Sequence, residues 1–337
     1  MPDLTGDLLR LMTALVGRLV DNLAGPVRPL AVAESQYFLI YCAATVVALA
    51  GLHFLVERRD GSVAKALSAK IWWHPSARAD YRYHLVNMII WPAWFVPFLL
   101  STALMADAVG AGLGNVFGDS APLASLPGWA ARALYTGILF IVYDMGRFAG
   151  HWLMHVNPVL WEFHKVHHSA ECLTPITSSR AHPVELVVQS FVGFLLIGTI
   201  TGLFVWAAAG AVGVFTLLGA NVFVFAFRLL GNLRHTHVRL GFGPLERYLV
   251  SPSMHQIHHS ALPEHRDVNM GLCFAWWDRM AGSWVPSKGV GDYPMGLGDG
   301  TDGEWHSVRR LYWWPFLGAW QRITGRLPRF RQRLSKS

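Results

Sequence analysis

The chain has 337 residues, of which 53% are apolar and only 15% charged, with a formal net charge of +7. An average soluble domain carries about 25% charged residues, so the composition argues against an ordinary soluble domain. The basic residues flank apolar stretches, which favours anionic lipid headgroups over nucleic acid as their partner. The three cysteines, Cys42, Cys172 and Cys273, form no CxxC pair, which argues against a disulfide framework or a zinc ribbon. The opening residues lack the charged segment, apolar core and cleavage site of a removable signal peptide.

Residues 4–23 repeat apolar positions at helical spacing, with Asp7, Arg10, Arg18 and Asp21 interspersed. Residues 1–34 are therefore expected to hold an amphipathic helix on the membrane surface. Residues 35–150 should contain three spans, at 35–56, 84–106 and 131–150. Pro92 and Pro97 predict a kink in the second. The stretch 184–230 carries only Glu185 and Arg228 as charges and is long enough for two crossings, since one needs about 20 residues. We read it as a transmembrane hairpin turning near Gly210 and Gly213. The fold class is thus an all-α integral membrane protein with a bundle of four to five transmembrane helices. Loop 57–83 carries Arg58, Arg59, Lys65, Lys70, Arg78 and Arg82, whereas loop 107–130 has no Lys or Arg. The positive-inside rule puts the first loop in the cytoplasm and the second outside. Arg234, Arg239 and Arg247 agree with a cytoplasmic position for the segment after the hairpin.

The 16 histidines are not scattered. In segment 151–183, GHWLMH supplies His151 and His155, and FHKVHH supplies His164, His167 and His168. In segment 231–305, MHQIHH supplies His255, His258 and His259. One HxxHH arises by chance in roughly one such chain in thirty, so two beside an HxxxH point to a site. Isolated histidines such as His53, His74, His84 and His306 read as ordinary hydrogen-bonded residues. Positions i, i+3 and i+4 share a helix face, so each box is expected to aim its imidazoles one way. Eight imidazoles are too many for one ion, because a structural zinc takes four ligands and a catalytic zinc about three. Two ions are expected, and imidazoles with no interleaved carboxylate suit oxygen chemistry. The boxes meet on one membrane face only if 184–230 crosses an even number of times. The tail, 306–337, mixes Trp313, Trp314, Phe316 and Trp320 with many Arg and reads as a basic, aromatic interfacial segment.

Residues 140–285 resemble the fatty acid hydroxylase and sterol desaturase superfamily of membrane-bound diiron enzymes. The likeness rests on LWEFHKVHHSAE (160–171), SRAHPVE (179–185), LRHTH (233–237), SPSMHQIHHS (251–260), DVNMG (267–271) and WWDRMAGSW (276–284). It implies a four-helix transmembrane bundle capped on the cytoplasmic side by a histidine-rich dimetal site. It also implies two Fe ions (with zinc as a mismetallated substitute), O2 as cosubstrate, and a separate electron donor of ferredoxin or cytochrome b5 type. The implied ligands are His151, His155, His164, His167, His168, His255, His258 and His259, joined by His235; His182, in the His-Pro element, is implied to be either a further ligand or a group that supports the ligands. His237 is implied to support the ligands, as Asp267, Asn269 and Asp278 beside the last box are expected to do. Asp144, two turns before His151 on the same helix, is expected from spacing to orient His151 or a neighbour, with an interfacial hydrogen bond as the competing role. Turn formation is the competing role for Asp267, Asn269 and Asp278. Arg180 is expected to pair with an acid such as Glu185. Trp152 departs from the family's first box, and no family motif precedes residue 130. The implied activity is hydroxylation of a C–H bond in a lipid or other hydrophobic substrate, in a bacterial inner membrane. Desaturation at the same site is the alternative, and a membrane zinc enzyme or metal-binding protein is the more distant one. The resemblance leaves the oligomeric state open.

Overall fold

The computed structural model describes residues 68–325, apart from 120, 210–212, 218–219, 222, 224–226 and 228–229; the side chains of 91–100, 216–217, 220–221 and 230–231 are not described. The expected surface helix and the first span, 35–56, lie outside the described residues, as does the end of the tail.

A short helix, α1 (Ala69–Trp72), leads into the 43-residue α2 (Pro75–Phe117). Then come α3 (Gly128–Val156), α4 (Pro158–His168) and α5 (Pro183–Ala207). Three of these starts share one device. A polar residue caps the helix and proline takes the first helical position, where no backbone N–H is needed. His74 Nδ1 accepts from Ser76 N before α2. Asn157 Oδ1 accepts from Val159 N and Leu160 N before α4. His182 Nδ1 accepts from Val184 N before α5. Helix α2 continues through Pro92 and Pro97, so neither proline ends it.

Glycines set the packing of the three long helices. A Cβ at Gly146 or Gly150 of α3 would meet Leu196 or Gln189 of α5 at 2.8 Å. On α5, a Cβ at Gly198 would lie 2.6 Å from Met105, and one at Gly202 would collide with the Ala106 carbonyl of α2. Helix α5 is therefore wedged between α2 and α3 through two small-xxx-small seams, the device that lets helices approach closely in a bilayer. Among the described residues, α5 alone is long and apolar enough to cross a membrane. Its 25 residues extend about 37 Å, beyond a hydrocarbon core of about 30 Å.

The bundle has two distinct ends. At one end, Trp206 Nε1 donates to Gly118 O and Leu123 N donates to Ala207 O. At the other lie the start of α2, the end of α3, the start of α5 and every histidine box. The expected hairpin has α5 as its first limb. Its second limb is not a spanning helix among the described residues. A pair of two-residue strands, β1 (Thr216–Leu217) and β2 (Ala220–Asn221), pairs antiparallel. Phe223 and Phe227 then pack on Phe140 and Tyr143 of α3. The chain thus returns beside α3 to α6 (Leu230–Arg234). Short helices α7 (Pro252–His258) and α8 (Trp276–Ala281) follow, then α9 (Val308–Thr324), which lies across α4.

Arg180 locks the histidine end. It is fully buried, and its guanidinium donates to Asp80 Oδ1 at 2.8 Å, Ser76 Oγ, Ser169 Oγ, and the carbonyls of Val166 and Trp305. The expected partner Glu185 is replaced by Asp80 of α2. Arg180 therefore ties the C-terminal turn of α4 to α2 and to the segment before α9. Tyr83, Val166, Trp305 and Leu311 fill the apolar space around this pair.

Candidate metal centre

Nine histidines gather into two groups. His151, His155, His164, His168 and His258 form group one, and His167, His235, His255 and His259 form group two; within each, one nitrogen per residue lies within 4.8 Å of the others. The boxes interlock in a way that helix periodicity explains. In α4, His164 and His168 are four apart and share a face, so both serve group one. His167 is rotated about 100° from His168 and turns to group two. Helix α7 and the residue after it reverse the pattern, with His255 and His259 in group two and His258 in group one. His151 and His155, also four apart, complete group one, and His235 completes group two. The expectation that each box aims one way is corrected accordingly: each HxxHH divides between the groups.

The nitrogen spacings suit a cation. In group one, His151 Nε2 lies 2.9 Å from His164 Nε2 and 3.1 Å from His258 Nε2, and His168 Nε2 lies 3.2 Å from His164 Nε2. In group two, His235 Nε2 lies 3.1 Å from those of His167 and His255, and His259 Nε2 lies 3.2 Å from His255 Nε2. Imidazoles bound at about 2.1 Å would stand about 3.0 Å apart at right angles and about 3.4 Å apart in a tetrahedron. The observed spacings lie close to those of imidazoles that share one ion.

Proton positions add a second test. His151 Nδ1 donates to Met270 O and His258 Nδ1 to Val268 O, each at 2.7 Å. His155 Nδ1 lies 2.9 Å from Asp267 Oδ1. With the proton on Nδ1, each Nε2 presents a bare lone pair to the same small space. The buried Nε2 of His155 has no hydrogen-bond partner. Converging lone pairs at 3.1 Å repel unless a cation lies between them, so the residues fit a bound metal. His164 Nδ1 approaches Glu185 Oε2 at 3.2 Å, a close polar contact without hydrogen-bond alignment. Burial, and then neighbouring imidazoles, hold His164, His168, His255 and His259 well below the ordinary histidine value of 6.5. The same causes act on His167 and His258. These rings are neutral at physiological pH, the form that coordinates metal.

One loop carries three of the outer acceptors. Asp267 and Asn269 adopt left-handed backbone (φ 57° and 52°) and alternate with Val268 and Met270, whose carbonyls accept from His258 and His151. Asp and Asn tolerate this conformation better than other non-glycine residues. Asn269 fixes the loop by donating to Met254 O and Val285 O while accepting from Val285 N. Asp278 accepts from Met270 N, Gly271 N and Ser283 Oγ.

Comparison with known proteins places this region. The fatty acid hydroxylase family model matches residues 136–283, which contain all nine clustered histidines. Residues 136–283 are thus similar to the fatty acid hydroxylase family. An alkylglycerol monooxygenase from Danio rerio is 32% identical over 189 residues, covering 55% of this chain and 37% of the relative. Ornithine lipid hydroxylase OlsE from Rhizobium tropici is 28% identical over 147 residues, covering 43% and 40%. The Xenopus tropicalis alkylglycerol monooxygenase is 30% identical over 156 residues, covering 45% and 30%. The chain thus spans well under half the length of these curated relatives. No solved structure gives a significant match.

Within residues 136–283, several residues singled out from the sequence lie outside the two groups. His182 is in neither group. Its Nδ1 caps α5 and its Nε2 donates to Tyr312 O, so both ring nitrogens are engaged away from the groups. His237, expected to support the ligands and not to bind metal, lies outside both groups, in the bend that carries His235. Asp144 does not touch His151. It accepts from Cys273 N, Phe274 N and Trp277 Nε1, and so anchors the chain just beyond Met270, whose carbonyl holds His151. Two turns of helix, about 11 Å, are too long for the direct bond. The backbone acceptors Val268 and Met270 and the acid Asp80 were not singled out by sequence. The alternating Asp-x-Asn-x-Gly is the one local signal for Val268 and Met270.

Proposed function

We propose that the chain is a membrane-bound, O2-dependent hydroxylase that converts a C–H bond of an amphiphilic lipid to an alcohol. Two iron ions, one per histidine group, and a separate electron donor of ferredoxin or cytochrome b5 type complete the reading. The observation that carries it is the pair of adjoining groups of neutral, inward-facing imidazoles inside a fatty acid hydroxylase domain.

His151, His155, His164, His168 and His258 would hold one ion, and His167, His235, His255 and His259 the other. Bound iron supplies the oxygen and one-electron chemistry that side chains lack. In the overall balance, one oxygen atom enters the lipid hydroxyl and the other leaves as water, consuming two electrons and two protons. The chain's own contribution is positional. The 267–270 loop fixes the tautomer and direction of three imidazoles, and Arg180 with Asp80 holds the α4 turn that carries three more. Such outer contacts set ligand orientation.

The membrane reading rests on α5 and on sequence. The histidine boxes sit at the end of the bundle where α2 begins, with Lys70, Arg78 and Arg82 of the basic segment, and loop 107–130, without Lys or Arg, joins the opposite end. That arrangement supports an integral membrane enzyme of four to five spans with its site on the cytoplasmic side of a bacterial inner membrane. Two relatives are named for alkylglycerol and ornithine lipid, both polar-headed molecules with long alkyl chains. A substrate of that class would enter laterally from the leaflet and place one chain carbon at the metal centre.

The test is product analysis. The full chain, iron-loaded in proteoliposomes, is given reductant, a donor protein, O2 and its host's lipid extract. Lipid carrying one added oxygen atom supports hydroxylation. Loss of two hydrogens would assign desaturation instead. Tight zinc with no oxygen use by the iron-loaded chain would remove the oxygenase reading.

A further inference from the structure

The outward side of α9 has a composition that the metal centre does not explain, although Phe316 at its edge also packs on Phe163 and His182. Leu311, Pro315, Gly318 and Ala319 are buried, on the side that lies over α4. Trp313, Phe316, Trp320 and Ile323 are exposed, at 64%, 47%, 57% and 69%. Their spacing of three, four and three residues makes one continuous stripe. Large exposed apolar stripes mark interaction surfaces.

Three observations identify what covers it. First, α9 is fixed at the depth where α5 begins: His182, the cap of α5, donates to Tyr312 O at 3.1 Å. If α5 crosses the bilayer, as the proposed function holds, its capped start lies at headgroup level, and so does α9. Second, the stripe joins Trp and Phe to basic neighbours. Arg309 is exposed at its head, and Arg322 lies beside Ile323. Indole rings favour the membrane–water interface, where one edge is apolar and the other wet. Third, the sequence from 326 to 337 adds five Lys/Arg and no Asp or Glu. A soluble acidic protein would match the charge but not the aromatic stripe; an anionic leaflet matches both.

We infer that α9 is an interfacial helix whose Trp313–Phe316–Trp320–Ile323 stripe docks on the anionic lipid surface beside the start of α5. The docked helix also reaches the second histidine box, because Arg322 Nε donates to Glu162 Oε1 of α4 at 3.0 Å, and a Cβ at Gly318 would meet Glu162. The leaflet surface is thereby linked, through one packed helix, to the element carrying His164, His167 and His168.

Nitroxide accessibility in the full chain tests this. Phe316→Cys, Trp320→Cys, Asp299→Cys and Leu195→Cys are labelled and reconstituted into vesicles of phosphatidylglycerol with phosphatidylcholine, with the parent chain's background label subtracted. Relaxation by O2 and by a water-soluble nickel reagent is compared. Labels at 316 and 320 should favour O2 several-fold over the label at 299, on an exposed loop, with a smaller contrast in pure phosphatidylcholine. Preference for nickel at 316 and 320 would overturn the inference, as would exclusion of both reagents, which would mean that protein covers the stripe. The label at 195, on the exposed side of α5, separates the two readings. If 195 favours O2 while 316 and 320 do not, α9 docking fails alone; if 195 favours nickel, the membrane reading of α5 fails first.

Discussion

Asp267→Gly separates metal positioning from fold stability at a single residue. Asp267 holds His155 Nδ1 at 2.9 Å, and that hydrogen bond keeps its carboxyl below the ordinary value. Removing an outer partner of a metal-bound imidazole lowers affinity about 10- to 100-fold, equivalent to about 1.4–2.7 kcal/mol. The Asp267 side chain is 64% exposed, so water screens the contact and the lower end, about 10-fold, is expected. The backbone pulls the other way. At φ 57° a general non-glycine residue is strained by about 1–2 kcal/mol; Asp bears the lower end of that range, about 1 kcal/mol, which glycine relieves. Glycine's larger unfolded-state entropy offsets about 0.5–1 kcal/mol of that gain. The metal-free variant should therefore unfold close to wild type, or slightly above it, while group one binds metal about tenfold more weakly. Titrating the apo chain with Fe(II) or Co(II) against a chelator reads both groups, and denaturation of the apo chain reads the fold. Asp267→Asn, which keeps a carbonyl acceptor and tolerates the same φ, should fall between. Unchanged affinity at group one would refute the reasoning, as would equal weakening of both groups with a loss of apo stability.

Other perturbations probe the same geometry. His167→Ala should weaken group two and His168→Ala group one, in the same chelator titration; identical profiles for these adjacent residues would contradict the division of the box. Asp80→Ala strands the buried Arg180 charge and should cost about 3–5 kcal/mol, read as a lowered melting temperature, with Asp80→Asn milder. Acidification should destabilise the metal-free chain. The buried imidazoles of His164, His168, His255 and His259 stay neutral in the fold well below 6.5, whereas the unfolded chain takes up protons from that pH downward. The unfolded state then binds more protons, so this stability is complete above pH 6.5 and is lost as pH falls below it. His182, held at about 4 by burial, adds to the loss between those values. Denaturation midpoints that stay flat from neutral to mildly acidic pH would count against the buried, neutral site.

Eight of the nine gathered histidines are legible from spacing alone, and His235 from its family motif. Their division is not, because it depends on how α4 and α7 face one another, which periodicity within either helix does not report. His182 looked equivalent to His235 as an isolated histidine. The adjacent Pro183 was the readable difference, since a polar residue before proline at a helix start is placed to cap. Asp144 shares the helix of His151, but its acceptor oxygens go to a loop 129 residues away in sequence. The packing of α5 was written in plain view as GRFAG and GTITG, a pattern overshadowed by the hydropathy of the segments that carry it. The apolar stretch 184–230 has the length of two helices. In the described residues only its first half is one, since hydropathy measures membrane compatibility and not backbone conformation.

The central claim is two metal ions per chain, held by two histidine groups that share the same boxes. Iron content of the full chain, loaded anaerobically in its reconstituted membrane and measured against protein by quantitative amino-acid analysis, tests it most directly. Two iron ions per wild-type chain are predicted, and one after His235→Ala, with group one retained. A single ion in the wild type, or an unchanged count in the variant, would contradict it.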